Sequence, residues 1–224
     1  MAPVDRPGED EVLIEVLARA QELGFIGPGP LDEQVEHGRA FAAAVDRGWG
    51  TAAGPDAPPR PRRVVDLGSG GGLPALVIAR SRSGVTFTLV EAQHRRAQFL
   101  EEAVARLALG ASVEVALERA EIFGRDREHR GAYDVATARA FGPPAVVAEC
   151  AAPLLASGGV LVVSEPPGVA DGVRWPDEGL ALLGMGSAAV LDAEGRRFAV
   201  IPQRRPCPDR YPRRVGIPAK RPLF

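Results

Sequence analysis

The chain has 224 residues, 46% of them apolar, and a net charge of −2, which fits one large domain with a sizeable core. Its two cysteines, Cys150 and Cys207, form no CxxC pair and only three histidines are present, so neither a zinc site nor a disulfide framework is expected. No apolar run reaches the roughly 18 residues of a membrane span and the acidic N-terminus lacks the apolar stretch of a signal peptide, so we expect a cytoplasmic monomer that binds neither metal nor membrane.

The first 60 residues predict a small helical region. Residues 11–23 have helical apolar spacing and are followed by Gly24. After a turn rich in glycine and proline, residues 31–48 predict a second helix. Residues 49–61 contain several helix-breaking residues and predict a linker to the main body.

After the linker, strands and helices alternate. Strands are predicted at 63–67, 86–91, 112–116, 133–138 and 160–164, and helices at 73–80, 93–108, 143–155 and 176–183. This alternation predicts a parallel sheet with helices on both faces. Residues 187–204 then predict a hairpin that turns at 194–195, which adds an antiparallel strand at the sheet edge and brings the total to seven strands.

A glycine-rich loop, VVDLGSGGGLP, joins the first strand to the first helix of this region. A dinucleotide-binding loop has a third glycine where this chain has leucine, and the observed D-x-G-x-G-x-G pattern is typical of class I S-adenosylmethionine-dependent methyltransferases. Loops of this type lack Cβ atoms that would keep a ligand from the main chain. The candidate cofactor-binding residues here are Asp66, Gly68, Ser69, Gly70, Gly72 and Leu73.

Candidate residues also follow the next three strands, at the edge where ligands bind in such sheets. Glu91 ends the second strand, where a carboxylate can accept the hydroxyl hydrogens of a ribose. Ala120 and Glu121 follow the third strand and can offer a backbone N–H and a carboxylate to an adenine edge. Arg139 ends the fourth strand and would point toward the methyl-transfer centre. The structural alternative for Glu91 is a helix N-cap or a solvated glutamate. For Ala120 and Glu121 it is an ordinary helix start, and for Arg139 a surface ion pair.

The charge is concentrated at the C-terminal end. From Arg196 onward nine arginines and lysines stand against Asp209 alone, a net charge of +8, which leaves −10 for residues 1–195. A basic tail on an acidic body indicates a polyanionic partner. Its prolines disfavour a long helix and predict an extended strap, in which Tyr211 lies among cations as is common in RNA binding.

Six segments together resemble a known family: VVDLGSGGGLP, TLVEAQHRRAQFLEEAV, ERAE, TARAF, AAPLLASGGVLVV and CPDRYPRRVGIPAKRPL, distributed over residues 62–224. They are similar to the glucose-inhibited division protein B family of small-subunit ribosomal RNA guanine-N7 methyltransferases. The resemblance implies a Rossmann-like class I fold, S-adenosylmethionine as cofactor, and 16S rRNA or the 30S subunit as partner. In the family's pattern the cofactor is contacted at the positions of Gly68, Leu73, Ala120, Glu121 and Arg139.

The expected organisation is therefore an α/β fold with a seven-stranded, mostly parallel sheet and three parts. These are a helical cap and linker at 1–60, a Rossmann-like cofactor-binding domain at 61–204 and the basic strap at 205–224. The strap is expected to contact RNA; the alternative is a structural strap whose arginines pair with the acidic body. The candidate RNA-binding residues are Arg204, Arg205, Arg210, Arg213, Arg214, Lys220 and Arg221.

Two regions depart from the family's pattern. The family usually has a Lys-Gly pair after the fifth strand, where this chain has Glu165, and a carboxylate beside an RNA phosphate is unfavourable. The family's N-terminal Asn-Leu-Thr and His-x-x-Asp-Ser stretches are not intact, and VEHGRAF is only a partial match to the second. A small-molecule methyltransferase and a catalytically inactive relative that binds cofactor and RNA therefore stay open. A nicotinamide-dependent dehydrogenase is the weakest alternative.

The expected chemistry needs no general base. Guanine N7 presents an exposed lone pair in the major groove, so it can attack a sulfonium methyl group without losing a proton. The enzyme would contribute proximity, alignment and a site that tolerates the movement of charge. Arg139 is the predicted positioning residue, holding either the base edge or the cofactor carboxylate. Phe141 could stack on a looped-out base or be a core aromatic.

Overall fold

The computed structural model describes residues 9–52, 59–168 and 173–224. The helices are α1 Glu9–Glu22, α2 Leu31–Ala52, α3 Ala75–Arg80, α4 His94–Arg106, α5 Ala120–Phe123, α6 Pro144–Ala151, α7 Asp177–Leu182 and α8 Ile217–Lys220. The strands are β1 Arg63–Leu67, β2 Thr86–Glu91, β3 Val113–Leu117, β4 Tyr133–Ala138, β5 Leu155–Ser164, β6 Ala189–Ala193 and β7 Arg196–Pro202.

The seven strands form one sheet in the order β3-β2-β1-β4-β5-β7-β6. Strands β1 to β5 are parallel, and β7 is antiparallel to both β5 and β6. The predicted seven-stranded, mostly parallel sheet is confirmed, and the hairpin turns at Glu194 and Gly195 as expected. The strand order reverses between β1 and β4, and ligands of open α/β sheets bind at the carboxyl ends of the strands beside such a reversal.

Two apolar cores cover the two faces of the sheet. Successive strand residues point to opposite faces, so Val64 lies in the core beneath α1 to α4, whereas Val65 lies in the core beneath α5 to α7 and the C-terminal strap. Burial on both faces explains why Val64 and Val65, which are adjacent and point to opposite faces, are both apolar.

The helix α2 is longer than predicted. It continues to Ala52 instead of ending near residue 48, because Trp49 and Ala52 are buried against the sheet face. Part of the segment expected to be a linker is thus helical, and residues 53–58 lie outside the described residues. Near its middle, the Phe41 ring meets Phe198 of β7 at 4.7 Å between centroids.

Two strand boundaries also differ from the prediction. Strand β5 begins at Leu155, five residues early, because Leu155 pairs with Tyr133 ahead of an irregularity in the ladder between β4 and β5. Strand β3 is shifted by one residue to Val113–Leu117. Among the described residues, no helix combines the length and the apolar character needed to cross a bilayer.

Candidate functional site

The glycine loop follows β1 and is tied to the end of β2. The N–H groups of Gly68 and Ser69 donate to the Val90 carbonyl oxygen at 2.8 and 3.2 Å, and Gly72 N donates to Ser69 O at 2.7 Å. Gly68 has φ +67°, a backbone conformation that glycine adopts without strain. The side chain of Leu73 is buried in the core, so only the backbone of this residue is available to a ligand.

Aromatic and apolar residues cover the loop on two sides. A Cβ atom at Gly68 would lie 2.6 Å from Phe141 Cδ2, and one at Gly71 would lie 2.5 Å from Ile26 Cγ2. The turn between α1 and α2, which carries Phe25 and Ile26, therefore packs directly on the glycine loop. The sequence gives no signal of this contact, because the turn is distant along the chain and carries no recognisable motif.

Glu91 connects the end of β2 to the glycine loop. Its carboxylate is buried and accepts hydrogen bonds from Gly70 N at 3.0 Å and from Gln93 N at 2.8 Å, one on each oxygen. Each oxygen accepts one of these bonds and keeps a further lone pair. The arrangement is therefore compatible with the predicted contact to two ribose hydroxyls.

Asp66 is a buried carboxyl group with one oxygen that lacks a partner. Its Oδ1 accepts a 2.6 Å hydrogen bond from Thr137 Oγ1, whereas Oδ2 is buried without a hydrogen bond. Ser69 Oγ donates to the Asp66 backbone oxygen at 3.1 Å. Burial raises the pKa of Asp66 to about 7, against the opposing effects of Thr137, Ser69 and the Arg139 charge.

Arg139, at the end of β4, has a buried hydrogen-bond donor that lacks a partner, as Asp66 has a buried acceptor that lacks one. Its Nη2 donates to Gln34 Oε1 of α2, and its Nη1 is buried without a hydrogen bond. Burial, followed by the nearby Arg196 charge, lowers the pKa of Arg139, while the Asp66 charge raises it. Asp66 Oδ2 thus needs a donor and Arg139 Nη1 needs an acceptor. An α-amino acid group supplies both as its ammonium and its carboxylate, so the residues fit that end of S-adenosylmethionine.

The helix α2 adds two residues to this side of the site. Besides Gln34, it carries His37, whose ring stacks on Phe41 at 5.6 Å between centroids. Burial, followed by the charges of Arg139 and Arg196, lowers the pKa of His37 to about 4, so the imidazole is neutral at pH 7. The partial match VEHGRAF contains His37 and was the only signal in the sequence for this contribution.

The single-turn helix α5 carries the predicted adenine residues. Ala120 and Glu121 are both buried, and Glu121 Oε1 accepts a 2.9 Å hydrogen bond from Gly216 N of the strap. Exposed apolar side chains occur on all three elements that meet near Glu121, namely Leu117 on β3, Ile122 on α5 and Val215 in the strap. An adenine contact at this place stays a prediction.

The structure divides the predicted RNA-binding cations. Strand β7 is antiparallel to β5, with Pro202 paired to Val160 and Phe198 to Ser164. It therefore ends at the amino ends of the parallel strands, on the side of the sheet away from the glycine loop. Arg204 and Arg205 follow β7 on that side. Arg213 is bound to the buried Glu149. The remaining four are exposed: Arg210, Arg214, Lys220 and Arg221.

Glu165 does not face an RNA phosphate as an uncompensated charge. Its side chain is 5% exposed and accepts hydrogen bonds from Trp175 Nε1 at 2.8 Å and Arg174 Nη1 at 3.0 Å. The expectation of charge repulsion at this position is therefore corrected, because Arg174 neutralises the carboxylate. Glu165 instead fixes the chain after β5 to the residues that precede α7.

We expect Glu165→Ala to lower the free energy of unfolding by about 1–3 kcal/mol, because it leaves the buried indole N–H of Trp175 without an acceptor. Glu165→Gln is the matched control, since its amide oxygen can still accept that bond, and it should cost less. Urea denaturation of both variants measures the difference. Equal losses for the two variants would contradict a structural role for the acceptor oxygen.

Among the residues that the structure describes, neither cysteines nor metal ligands form a second centre. Cys150 and Cys207 are buried and form no disulfide. Burial raises the pKa of the Cys207 thiol to about 12 and also raises the pKa of the Cys150 thiol. Both are therefore poor nucleophiles at neutral pH. Within residues 9–52, 59–168 and 173–224, no three His, Cys, Asp or Glu side chains are grouped as metal ligands.

Comparison with known proteins relates most of the chain to one family. A family model described as GidB, rRNA small subunit methyltransferase G, matches residues 56–169. The ribosomal RNA small subunit methyltransferase G of Symbiobacterium thermophilum is 38% identical over 172 residues, which cover 72% of this chain and 70% of that protein. The protein of the same name from Roseiflexus castenholzii is 38% identical over 169 residues, covering 73% and 72%.

Solved structures resemble the chain in fold. An O-methyltransferase from Bacillus cereus in complex with SAH has a TM-score of 0.56 at 17% identity, covering 88% of this chain and 92% of that one. A methyltransferase from Geobacter sulfurreducens has a TM-score of 0.57 at 15% identity, with 88% and 91% covered. At these identities the similarity establishes the Rossmann-like methyltransferase fold and nothing about the substrate.

Proposed function

Because the chain belongs to the rRNA small subunit methyltransferase G family, we propose that it transfers a methyl group from S-adenosylmethionine to N7 of a guanine in 16S rRNA. The observation that carries the cofactor assignment is the pair of buried, unpartnered atoms Asp66 Oδ2 and Arg139 Nη1 next to the glycine loop. The relatives named for rRNA methylation support the substrate.

The cofactor would be held along the carboxyl ends of four strands. Asp66 and Arg139 bind its ammonium and carboxylate, and Glu91 accepts hydrogen bonds from its ribose hydroxyls. Ala120 and Glu121 lie at the adenine end. When bound, S-adenosylmethionine supplies a methyl group on a positively charged sulfur.

The residues of this chain contribute alignment rather than proton transfer. Guanine N7 attacks without deprotonation, and the imidazole of His37 is neutral, so it brings no further positive charge beside Arg139. Gln34 holds one nitrogen of the Arg139 guanidinium and leaves the other for the cofactor carboxylate. Because that nitrogen is buried, we infer that Arg139 binds the cofactor carboxylate and does not contact the base edge. Fixed orientation of the reacting groups then lowers the barrier.

The acceptor is expected to approach the same edge of the sheet. Phe141 lies against Gly68 and is partly buried, which places an aromatic ring at the wall of the cofactor loop. We assign the activity to the cytoplasm, where a monomer would act on 16S rRNA or on the 30S subunit. The exposed cations Arg210, Arg214, Lys220 and Arg221 are the proposed contacts to phosphate groups.

The test is methyl transfer from labelled S-adenosylmethionine to 30S subunits or 16S rRNA prepared from a strain lacking the modification. We expect label in RNA that is recovered as 7-methylguanosine after digestion. Arg139→Ala should lower incorporation by about 100-fold, as losses of a positioning contact do, whereas Arg204→Ala at the opposite edge should leave it unchanged.

The negative outcomes separate the alternatives. Label in small metabolites but not in RNA would favour a small-molecule methyltransferase. Cofactor binding with no label in any ribosomal substrate would favour a catalytically inactive relative. Either result would reject rRNA methylation as the activity of this chain.

A further inference from the structure

We infer that the C-terminal strap (residues 205–224) sets the adenine end of the cofactor site, with Arg213 as a positioning residue that does not touch the cofactor. The inference rests on the proposed function and extends it, because it assigns the basic tail a role in cofactor binding separate from RNA contact.

The helix α5 depends on the strap for its position. It spans only Ala120–Phe123 and has no side-chain cap at its N-terminus. Gly216 N donates to Glu121 Oε1 at 2.9 Å at its beginning, and Arg125 Nε donates to Pro212 O at 2.8 Å just after its end. An isolated helical turn is not stable, so α5 is held by the burial of Ala120 and Phe123 in the core and by these contacts from the strap.

A single guanidinium joins the end of α5 to the strap a second time. Arg130 Nη1 donates to Gly124 O at 3.1 Å and to Tyr211 O at 2.7 Å. Its Nη2 donates to Cys207 O at 2.9 Å. Arg130 therefore fixes the distance between the end of α5 and the strap.

The strap itself is anchored by one buried ion pair. Glu149 of α6 has no solvent exposure and accepts three hydrogen bonds from Arg213, from its backbone N and its Nε at 2.8 Å and from Nη2 at 2.6 Å. Arg213 Nη2 also donates to Arg221 O at 2.7 Å, which ties the end of the strap, after α8, to the segment before α8. A buried carboxylate requires its partner, so this pair fixes the strap three residues before Gly216.

Together these contacts link Arg213 to the adenine residues. A displacement of the strap at Arg213 would withdraw Gly216 N from Glu121 and release Pro212 from the end of α5. The position of α5, and with it Ala120 and Glu121, would then become less defined. The glycine loop and Asp66 lie on other elements and would keep their geometry.

The test compares two ligands and a pair of adjacent substitutions. S-Adenosylhomocysteine contacts both ends of the site, whereas 5′-methylthioadenosine has no amino acid group and depends on the adenosine end. Arg213→Lys should raise the Kd of both ligands by a similar factor of about ten, the size expected for an indirect positioning contact. Arg214→Lys makes the same chemical change at an exposed neighbour and should leave both Kd values unchanged.

Asp66→Asn provides the opposite pattern, since it should raise the Kd of S-adenosylhomocysteine alone. Calorimetric titrations well below each variant's Tm give these values. If Arg213→Lys unfolds, Glu149→Gln loosens the same anchor and leaves the unpaired charge on Arg213, whose side chain is 26% exposed, and it should raise both Kd values in the same way.

The outcomes distinguish the two proposals. If Arg213→Lys lowers the Tm but leaves both Kd values equal to those of the parent protein, the strap is purely structural and the inference is overturned. A rise confined to S-adenosylhomocysteine would also overturn it. Failure of the parent protein to bind either ligand would instead overturn the proposed function, and the inference with it.

Discussion

Asp66→Asn is expected to weaken S-adenosylhomocysteine binding by about 100-fold and to remove the pH dependence of that binding. Asp66 Oδ2 is buried without a partner, and the ligand ammonium would supply its missing donor. The asparagine amide is uncharged, so its oxygen can accept a hydrogen bond from the ammonium but cannot form the ion pair that a carboxylate forms with it, which is the stronger interaction. Loss of such a bond inside a buried site accounts for an effect of this size.

The pH dependence follows from the raised pKa of the same group. Burial raises the pKa of Asp66 to about 7, and the ligand ammonium prefers the ionised carboxylate. Below pH 7 the carboxyl group must lose a proton to bind, so the affinity of the parent should fall as the pH falls, approaching tenfold per pH unit. Above about pH 8 the affinity should level off.

Calorimetry at pH 6, 7 and 8 measures both effects. Glu91→Gln is the control, because it alters the ribose contact and should weaken binding while affinity still falls with falling pH. The fall should begin at a lower pH, since the Glu91 charge contributes to the raised pKa of Asp66. A parent protein with constant affinity across this range would show that Asp66 does not receive the ligand ammonium.

Replacing Arg214, Lys220 and Arg221 with alanine is expected to weaken binding to 16S rRNA and to reduce its salt dependence. Each phosphate contact contributes about 0.7–0.9 to the slope of log K against log salt concentration, so three lost contacts should lower the slope by roughly two to three. All three residues are exposed on the strap, and the anchor formed by Arg213 and Glu149 is left intact.

Arg204→Ala combined with Arg205→Ala is the matched control for this measurement. Both side chains are exposed but follow β7 at the opposite edge of the sheet, so their loss should leave the slope nearly unchanged. If the slope falls equally in both variants, the RNA contacts the cations after β7 as much as those of the strap. An unchanged slope in the triple variant would exclude the outer face of the strap as an RNA contact.

The sequence predicted the central part of the fold closely. The predicted bounds of β1, β2 and β4 coincide with those observed, because short apolar runs between breakers are local signals of buried parallel strands. The glycine loop and Glu91 were also found from local spacing. Each depends on residues adjacent in the chain, so no knowledge of distant contacts was needed.

Elsewhere the boundaries depended on distant residues. The last turn of α2 is helical because Trp49 and Ala52 are buried against the sheet, which overrides the glycines and the threonine nearby. The start of β5 depends on the pairing of Leu155 with Tyr133. Neither partner can be identified from its neighbours along the chain.

Residue type and spacing were enough to predict the alternating α/β order, the glycine loop with its acidic partner and the resemblance to a methyltransferase family. The division of the cations into exposed and structural ones followed from the fold. Arg213 and Glu149 are 64 residues apart in the chain, and Arg139 and Gln34 are 105 apart. The role of a charged side chain depends on its burial and on the partner that folding brings to it, and neither is encoded in its sequence neighbours.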